Sequence, residues 1–314
     1  MKKVFYSTII GLTMAMVIPA QGSAAIDGDA QVIAEAYANT KGMPEEEGSW
    51  DVPEWLKRVD FTVHGLVHGT DSKPTFTLET IQPIYQTADT LRHTFFYQLR
   101  MARHINDETY NVGLGYRFLF PEEMCILGVN SFFDVTGKHN HKRWSVGGEV
   151  IGKYLTVRGN YYKAISALKT VSSDAGVNTT ERALNGRDIE GEIPVPYLPW
   201  MRFLGSYYYW EGDVVKDMEG HRAAIEMNIT DNISIEIGSS HDNFDSNNYG
   251  KVTFTVGRPM SKEYTLFKDK VKTKTVFAER NLKNQTLAKV RRNNAIVVET
   301  RTTGGAGLIV SRGA

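Results

Sequence analysis

Apart from residues 4–18, themselves short for a bilayer, this sequence has no long apolar run, which excludes a bundle of membrane-spanning helices. It has one cysteine, Cys125, so no disulfide can close within the chain. The 36 Lys and Arg residues balance 36 Asp and Glu, so the net positive charge of a general nucleic-acid binder is missing. No G-x-S-x-G, H-E-x-x-H or phosphate-binding loop occurs. The eight histidines are scattered, and His139 and His141 are the only close pair. With no cysteine or second carboxylate-rich segment beside it, that pair is a weak metal signal. The expectation is therefore no catalytic residue, no metal and no cofactor.

What is present is alternation. Ile225, Met227 and Ile229 alternate with Glu226 and Asn228, and Ile233, Ile235 and Ile237 with Ser234 and Glu236. Val252, Phe254 and Val256 alternate with Thr253 and Thr255. Successive side chains of a strand point to opposite faces, so each segment has one apolar and one polar side. In a soluble sandwich the apolar side would face a core; in an outer-membrane barrel it faces lipid and the polar side encloses water.

The start of the chain bears on that choice. Lys2 and Lys3, the apolar stretch 4–18 and the small residues Gly22, Ser23, Ala24 and Ala25 read as a secretory signal peptide over 1–24. Residues 25–57 read as a short periplasmic lead-in, with helical character over 30–38. Strands are expected near 58–67, 74–85, 91–103, 109–120, 125–135, 143–152, 154–164, 182–195, 200–211, 222–230, 233–242 and 249–258. Connections after the even-numbered strands are short, and those after the odd-numbered ones are mostly longer and polar, the longest spanning 165–181. Short turns on one side and longer loops on the other are the habit of outer-membrane barrels, and an even strand count suits them. The reading is an all-β chain forming a transmembrane, antiparallel, 12-stranded outer-membrane barrel over 58–258.

Parity then assigns the lumen. Glu79, Gln98, Arg100, Asn111, Arg117, Asn130, Glu149, Arg158, Asn160, Asp188, Glu190, Glu192, Glu226 and Glu236 fall on polar sides. Mixed signs on one wall predict cross-strand pairing and a partly filled pore. Gly113, Gly115, Gly128, Gly147 and Gly148 ease curvature or the close approach of something inside. Residues 272–292 carry seven basic residues and one acidic one, Glu279. A helix is plausible over 276–290, and an acidic lumen would attract this segment; a solvated basic tail is the alternative.

The segments LETIQPIY (78–85), FFYQLRM (95–101), NVGLGYRFLF (111–120), LGVNSFFDV (127–135), RWSVGGEV (143–150), YLTVRGNYYKA (154–164), NGRDIEGEIPVPYLPW (185–200), GSYYYWEGD (205–213) and VRRNNAIVVE (290–299), in this order and spacing, resemble the inverse autotransporter barrel of intimin and invasin. The resemblance covers about residues 58–300. It implies a twelve-stranded outer-membrane barrel whose following chain, 259–299, threads back through the pore as a linker. Display of a passenger at the cell surface by type V secretion is implied as well. Family members usually continue into immunoglobulin-like repeats; here 300–314 is a short Gly-rich stretch, expected as an exposed tail of a barrel-only or truncated member. Adhesion belongs to the passenger and is not transferred.

The resemblance also implies outer-membrane lipid and lipopolysaccharide around the barrel, and periplasmic chaperones and the barrel-assembly machinery as partners. The barrel is expected as a monomer. Asn130, Glu149, Arg158, Asn160, Asp188, Glu190, Arg291, Asn293 and Asn294 are the residues expected to pair in the lumen or dock the linker. The alternative function is a plugged or narrow pore, or a surface structural protein, without secretion.

Overall fold

In the computed structural model, residues 53–68, 74–104, 107–174, 177–213, 216–257, 262–267, 272–304 and 307–313 are described. The expected signal peptide and nearly all of the expected lead-in lie outside them.

Twelve antiparallel strands close into a barrel. In chain order these are β1 (Val59–His68), β2 (Thr75–Gln86), β3 (His93–Arg103), β4 (Glu108–Leu119), β5 (Cys125–Thr136), β6 (Lys142–Gly152) and β7 (Thr156–Ala164). After a hairpin of β8 (Lys169–Asp174) and β9 (Val177–Ala183), the barrel resumes with β10 (Gly186–Val195), β11 (Leu198–Trp210), β12 (Met218–Asn228), β13 (Ile233–Asp242) and β14 (Ser246–Thr255). β10 pairs directly with β7, and β14 returns to β1, so the barrel wall has no unpaired edge. All twelve expected strands are present. One rim, the turn rim, carries the connections 87–92, 120–124, 153–155, 196–197 and 229–232. The other, the loop rim, is less uniform than its sequence suggests, because 104–107 and 243–245 are also short.

Alternation sets the two faces. Val112, Leu114, Val129, Phe133, Leu155 and Ile193 are exposed on the outer wall, while Phe96, Gln98, Arg117, Asp134, Arg143 and Glu149 are buried inside. Near the turn rim the outer wall carries aromatic contacts, with Phe95 and Tyr116 centroids 4.6 Å apart and His93 bonded to Tyr116 at 2.7 Å. Amphipathic rings at the end of an apolar band suit a headgroup layer. Pro83 lies where the β2–β3 register shifts, a place where a strand tolerates a residue without an N–H. Gly113 and Gly115 face the lumen, and a Cβ on either would run into the rings of Phe132 and Phe96. Of the two roles left open for these glycines, close approach is the one in use: their missing side chains let two rings lie inward.

Three stretches differ from expectation. The segment read as the longest loop, 165–181, and the start of the predicted strand 182–195 form β8 and β9 instead. The predicted exposed tail is paired: β15 (Val298–Gly304) and β16 (Gly307–Gly313) form a hairpin, and β15 pairs with β9, giving a four-stranded sheet in the order β16–β15–β9–β8. Leu184 and Asn185 separate β9 from β10. Leu184 packs with Tyr162, Trp210 and Val297, and the Asn185 side chain accepts the Ala164 N–H, so the chain changes sheets there. The helix expected over 276–290 is also not formed; only a 3-10 turn, Lys283–Gln285, occurs. Barrel side chains satisfy main-chain groups of this segment, which removes the need for internal helical bonds.

Candidate functional site: a basic segment against the lumen wall

Residues 280–299 contact the barrel interior in a continuous series. Near the turn rim, Arg280 donates to the Gly152 carbonyl at 2.9 Å, to Glu192 at 2.9 Å and to the Thr156 hydroxyl. Next to it Leu282 is fully buried among Leu119, Ile126 and Ile151. Just outside, Glu279 accepts from the Tyr154 hydroxyl at 2.8 Å and from Lys153 at 3.0 Å, and these two bonds hold its carboxyl below the usual carboxylate range.

Further along, barrel side chains grip the main chain. Arg117 of β4, oriented by Glu149 at 2.7 Å, donates to the carbonyls of Thr286 (2.9 Å) and Ala288 (2.6 Å). Gln98 of β3 accepts the Val290 N–H at 2.9 Å and donates to the Val290 carbonyl at 3.3 Å, as a neighbouring strand would. The Val290 side chain packs against Ile81, Phe96 and Phe132.

Two adjacent arginines then point to opposite walls. Arg291 reaches Glu190 (3.0 Å), Glu226 (2.8 Å) and Glu236 (3.1 Å), carboxylates from β10, β12 and β13. Arg292 forms a two-pronged pair with Asp134 of β5 at 2.9 and 2.6 Å and lies 4.5 Å over the Phe132 ring. Arg143 of β6 shares Asp134 at 2.8 Å and also donates to the carbonyls of Asn293 (2.7 Å) and Ala295 (2.8 Å). Arg292, Asp134 and Arg143 side chains are all fully buried. The Asn293 N–H bonds the Tyr162 hydroxyl at 2.8 Å, and Asn111 donates to the Asn294 carbonyl at 3.0 Å. Val297 joins Tyr162, Leu184 and Trp210 near the loop rim, where β15 begins on β9.

Arg291, Glu190, Asn293 and Asn294 make direct contacts between segment and wall. Glu149 and Asp188 act one step back: Glu149 orients Arg117, and Asp188 accepts from Tyr162 at 2.5 Å and from Asn160 at 2.7 Å. Arg158 pairs with Glu192 (3.0 Å) and Glu190 (3.3 Å), the carboxylates that also take Arg280 and Arg291. It is thus a wall salt bridge rather than a linker contact. Asn130 and Asn160 lie against Gly147, at a spot where a Cβ would collide with both.

Sequence reasoning left Gln98, Arg117, Asp134, Arg143, Tyr162, Arg280 and Arg292 out of the docking set. Parity places Gln98 and Arg117 in the lumen, but what they bind on the segment is main chain, which carries no sequence signal. At the loop rim, the His139 and His141 pair gains a neighbour, Glu181 of β9. Burial pulls the His141 pKa down, against the opposing pull of Glu181.

Beside the docked segment a cavity of about 1380 Å³ remains, bordered by Arg202, Arg222, Glu226, Glu236, Ser240 and Lys251 among others. It exceeds the roughly 300–1,000 Å³ of an ordinary ligand cleft, and its border is charged and polar rather than apolar.

Comparison with known proteins agrees with this architecture. The model of the inverse autotransporter β-domain family matches residues 17–294. The inverse autotransporter adhesin YeeJ of Escherichia coli (strain K12) is 29% identical over 187 residues, 58% of this chain and 8% of YeeJ. The uncharacterized protein YchO of the same strain is 23% identical over 195 residues, 60% of this chain and 39% of YchO. The matched region thus spans well under half the length of either relative. A solved structure from work on the in-meso crystallization of membrane proteins superposes with a TM-score of 0.60 at 19% identity, over 77% of this chain and 99% of that one, which shows the shared fold. A closed twelve-stranded wall with an apolar outside and a family match over most of its length make this chain an outer-membrane β-barrel that belongs to the inverse autotransporter β-domain family.

Proposed function

We propose that this barrel is a type V translocator that anchors its own C-terminal segment and exports the chain that follows, with residues 280–299 threading the pore toward the cell surface. The observation that carries the reading is the unbroken series of contacts from Arg280 at the turn rim, through Val290 and Arg292, to β15 on β9 at the loop rim. The turn rim then faces the periplasm and the C-terminus the outside.

The proposed mechanism is physical. The closed wall satisfies every strand edge in lipid, and its polar interior lets an extended chain cross while hydrated. The cavity beside the docked segment gives room for a second extended stretch, so that the chain can pass as a hairpin with one arm held. Once export ends, Arg280, Arg291 and Arg292 fix the remaining arm against wall carboxylates. No catalytic step enters this account. Outer-membrane lipid and lipopolysaccharide would surround the barrel, and periplasmic chaperones and the barrel-assembly machinery would insert it as a monomer.

The test is an epitope followed by a small passenger, fused after Ala314 and probed with antibody on intact Gram-negative cells. Surface detection that disappears when Gln98, Arg291 and Arg292 are replaced together supports export by a docked segment. An epitope reached only after the outer membrane is opened would leave a plugged pore without secretion.

A further inference from the structure

At the loop rim three metal-binding side chains from two separate elements meet. His139 and His141 lie in the connection 137–141 between β5 and β6, and Glu181 lies on β9. The His139 Nδ1 is 2.7 Å, and the His141 Nε2 3.0 Å, from the same carboxylate oxygen, Glu181 Oε2. One donor atom from each residue falls within 4.8 Å of the others. We infer that these residues form a binding site for a divalent transition ion of the zinc class, which staples the outer four-stranded sheet to the barrel.

The donor set selects the ion. Two imidazole nitrogens and one carboxylate suit zinc and its neighbours, whereas calcium and magnesium take oxygen ligands. Zinc holds such ligands at about 2.0–2.2 Å, so tetrahedral geometry sets neighbouring donors about 3.3 Å apart. The present separations of 2.7 and 3.0 Å from the carboxylate oxygen need to open by about 0.6 and 0.3 Å, and the two imidazole nitrogens, within 4.8 Å of each other, need to settle at the same spacing. Three protein ligands leave a fourth position for water.

The supports around the site fit a ligand role. His141 is buried, its backbone N–H donates to the Thr136 hydroxyl at 3.0 Å, and its second ring nitrogen, Nδ1, lies 3.4 Å from Ser166 Oγ. A partner on the second nitrogen fixes the ring of a ligating histidine. Asn140, between the two histidines, has φ +50°, a conformation asparagine tolerates better than most residues. The nearby Lys169 ammonium is tied to the Asn140 carbonyl at 2.8 Å.

The location gives the site a consequence. Glu181 is paired with Thr300 of β15 in the sheet register. A metal bridging Glu181 to the β5–β6 connection would clamp the strand that receives β15, and so steady the chain where it leaves the lumen. The binding itself does not rest on export, and the purified barrel can show it even if the secretion reading fails.

The test uses the full chain purified in detergent without a polyhistidine tag and stripped by chelator. Zn2+ is titrated by calorimetry, with Co2+ as a spectroscopic probe. His141→Ala, Glu181→Gln and His241→Ala are compared, each shown to be folded by heat-modifiable gel migration. His241 belongs to the other facing histidine pair, with His221 at a centroid distance of 5.6 Å, and serves as control. The expected result is one Zn2+ per chain, a tetrahedral Co2+ spectrum, and at least a tenfold weaker affinity in His141→Ala and Glu181→Gln but not in His241→Ala. Slower trypsin cleavage at Lys169 and Arg182 with Zn2+ would follow. Absence of saturable binding in the wild type, or equal affinity in all three variants, overturns the inference.

Discussion

The pair between Asp134 and Arg292 is where the docked segment should be most sensitive. Asp134 is fully buried and serves Arg292 at 2.9 and 2.6 Å, Arg143 at 2.8 Å and Asn111 at 2.7 Å. Asp134→Asn keeps the shape but removes the charge, leaving two guanidinium groups buried without a carboxylate. Stranding a buried charge costs about 3–5 kcal/mol. Arg292→Gln is milder, because Asp134 keeps Arg143. If the pair couples segment to wall, the double variant should lose less than the two single losses together, with a coupling of about 2–3 kcal/mol. A loss of about 3 kcal/mol in docking changes the ratio of docked to undocked chains by roughly two orders of magnitude. Urea unfolding in lipid vesicles reads the stability, and single-channel recording reads undocking as new open events. Additivity within about 0.5 kcal/mol, together with unchanged conductance, would refute the reasoning.

Other substitutions probe neighbouring contacts. Gln98→Leu removes both bonds to the buried main chain of Val290 and should cost about 2 kcal/mol of docking, seen as more frequent channel openings; wild-type traces would count against the strand-like grip. Gly115→Val should drive a methyl into the Phe96 ring and lower the heat-modification temperature, at a cost of about 1–3 kcal/mol, whereas Gly148→Ala, with only one atom near its Cβ, should not. Because the Glu279 pKa is depressed, its tie to Lys153 and Tyr154 contributes above the ordinary carboxylate value of 4.5 and is lost as pH falls through the lowered value. A dye on Phe277→Cys, in a Cys125→Ser background, should report release only in acid; a transition that survives Glu279→Gln would assign it elsewhere.

Period-two patterning made the barrel legible because lipid and lumen impose opposite polarity on every second residue. That is why Glu236 and Ile237 could be sorted to opposite faces without a structure. The same rule could not see β8, β9 and β15. Their stretches of Ser, Thr, Asn and charged residues have no apolar side, so a polar strand outside the barrel reads as loop. Charge suggested that a basic tail would seek an acidic lumen, and Arg291 with three glutamates fits that idea. Which wall groups meet its backbone depends on the register of an extended segment, and nothing in the spacing of Gln98, Arg117 or Arg143 encodes it. The loose apolar spacing around Leu282, Leu287 and Val290 suggested a helix. Leu282 instead fills a gap in the wall near the turn rim, and Val290 packs against inward-facing rings. Glu181 has no local signal either, because its neighbours His139 and His141 lie about forty residues away in the chain.

The most direct measurement places single cysteines at the two ends of the segment in a Cys125→Ser background and treats intact cells with a membrane-impermeant maleimide. Thr302→Cys, on β15 at the loop rim, should label at once. Thr273→Cys, whose N–H bonds the Tyr197 carbonyl at the turn rim, should label only after the outer membrane is breached. Protection at position 302 with labelling at 273, or protection at both, would contradict a segment that runs outward through the pore.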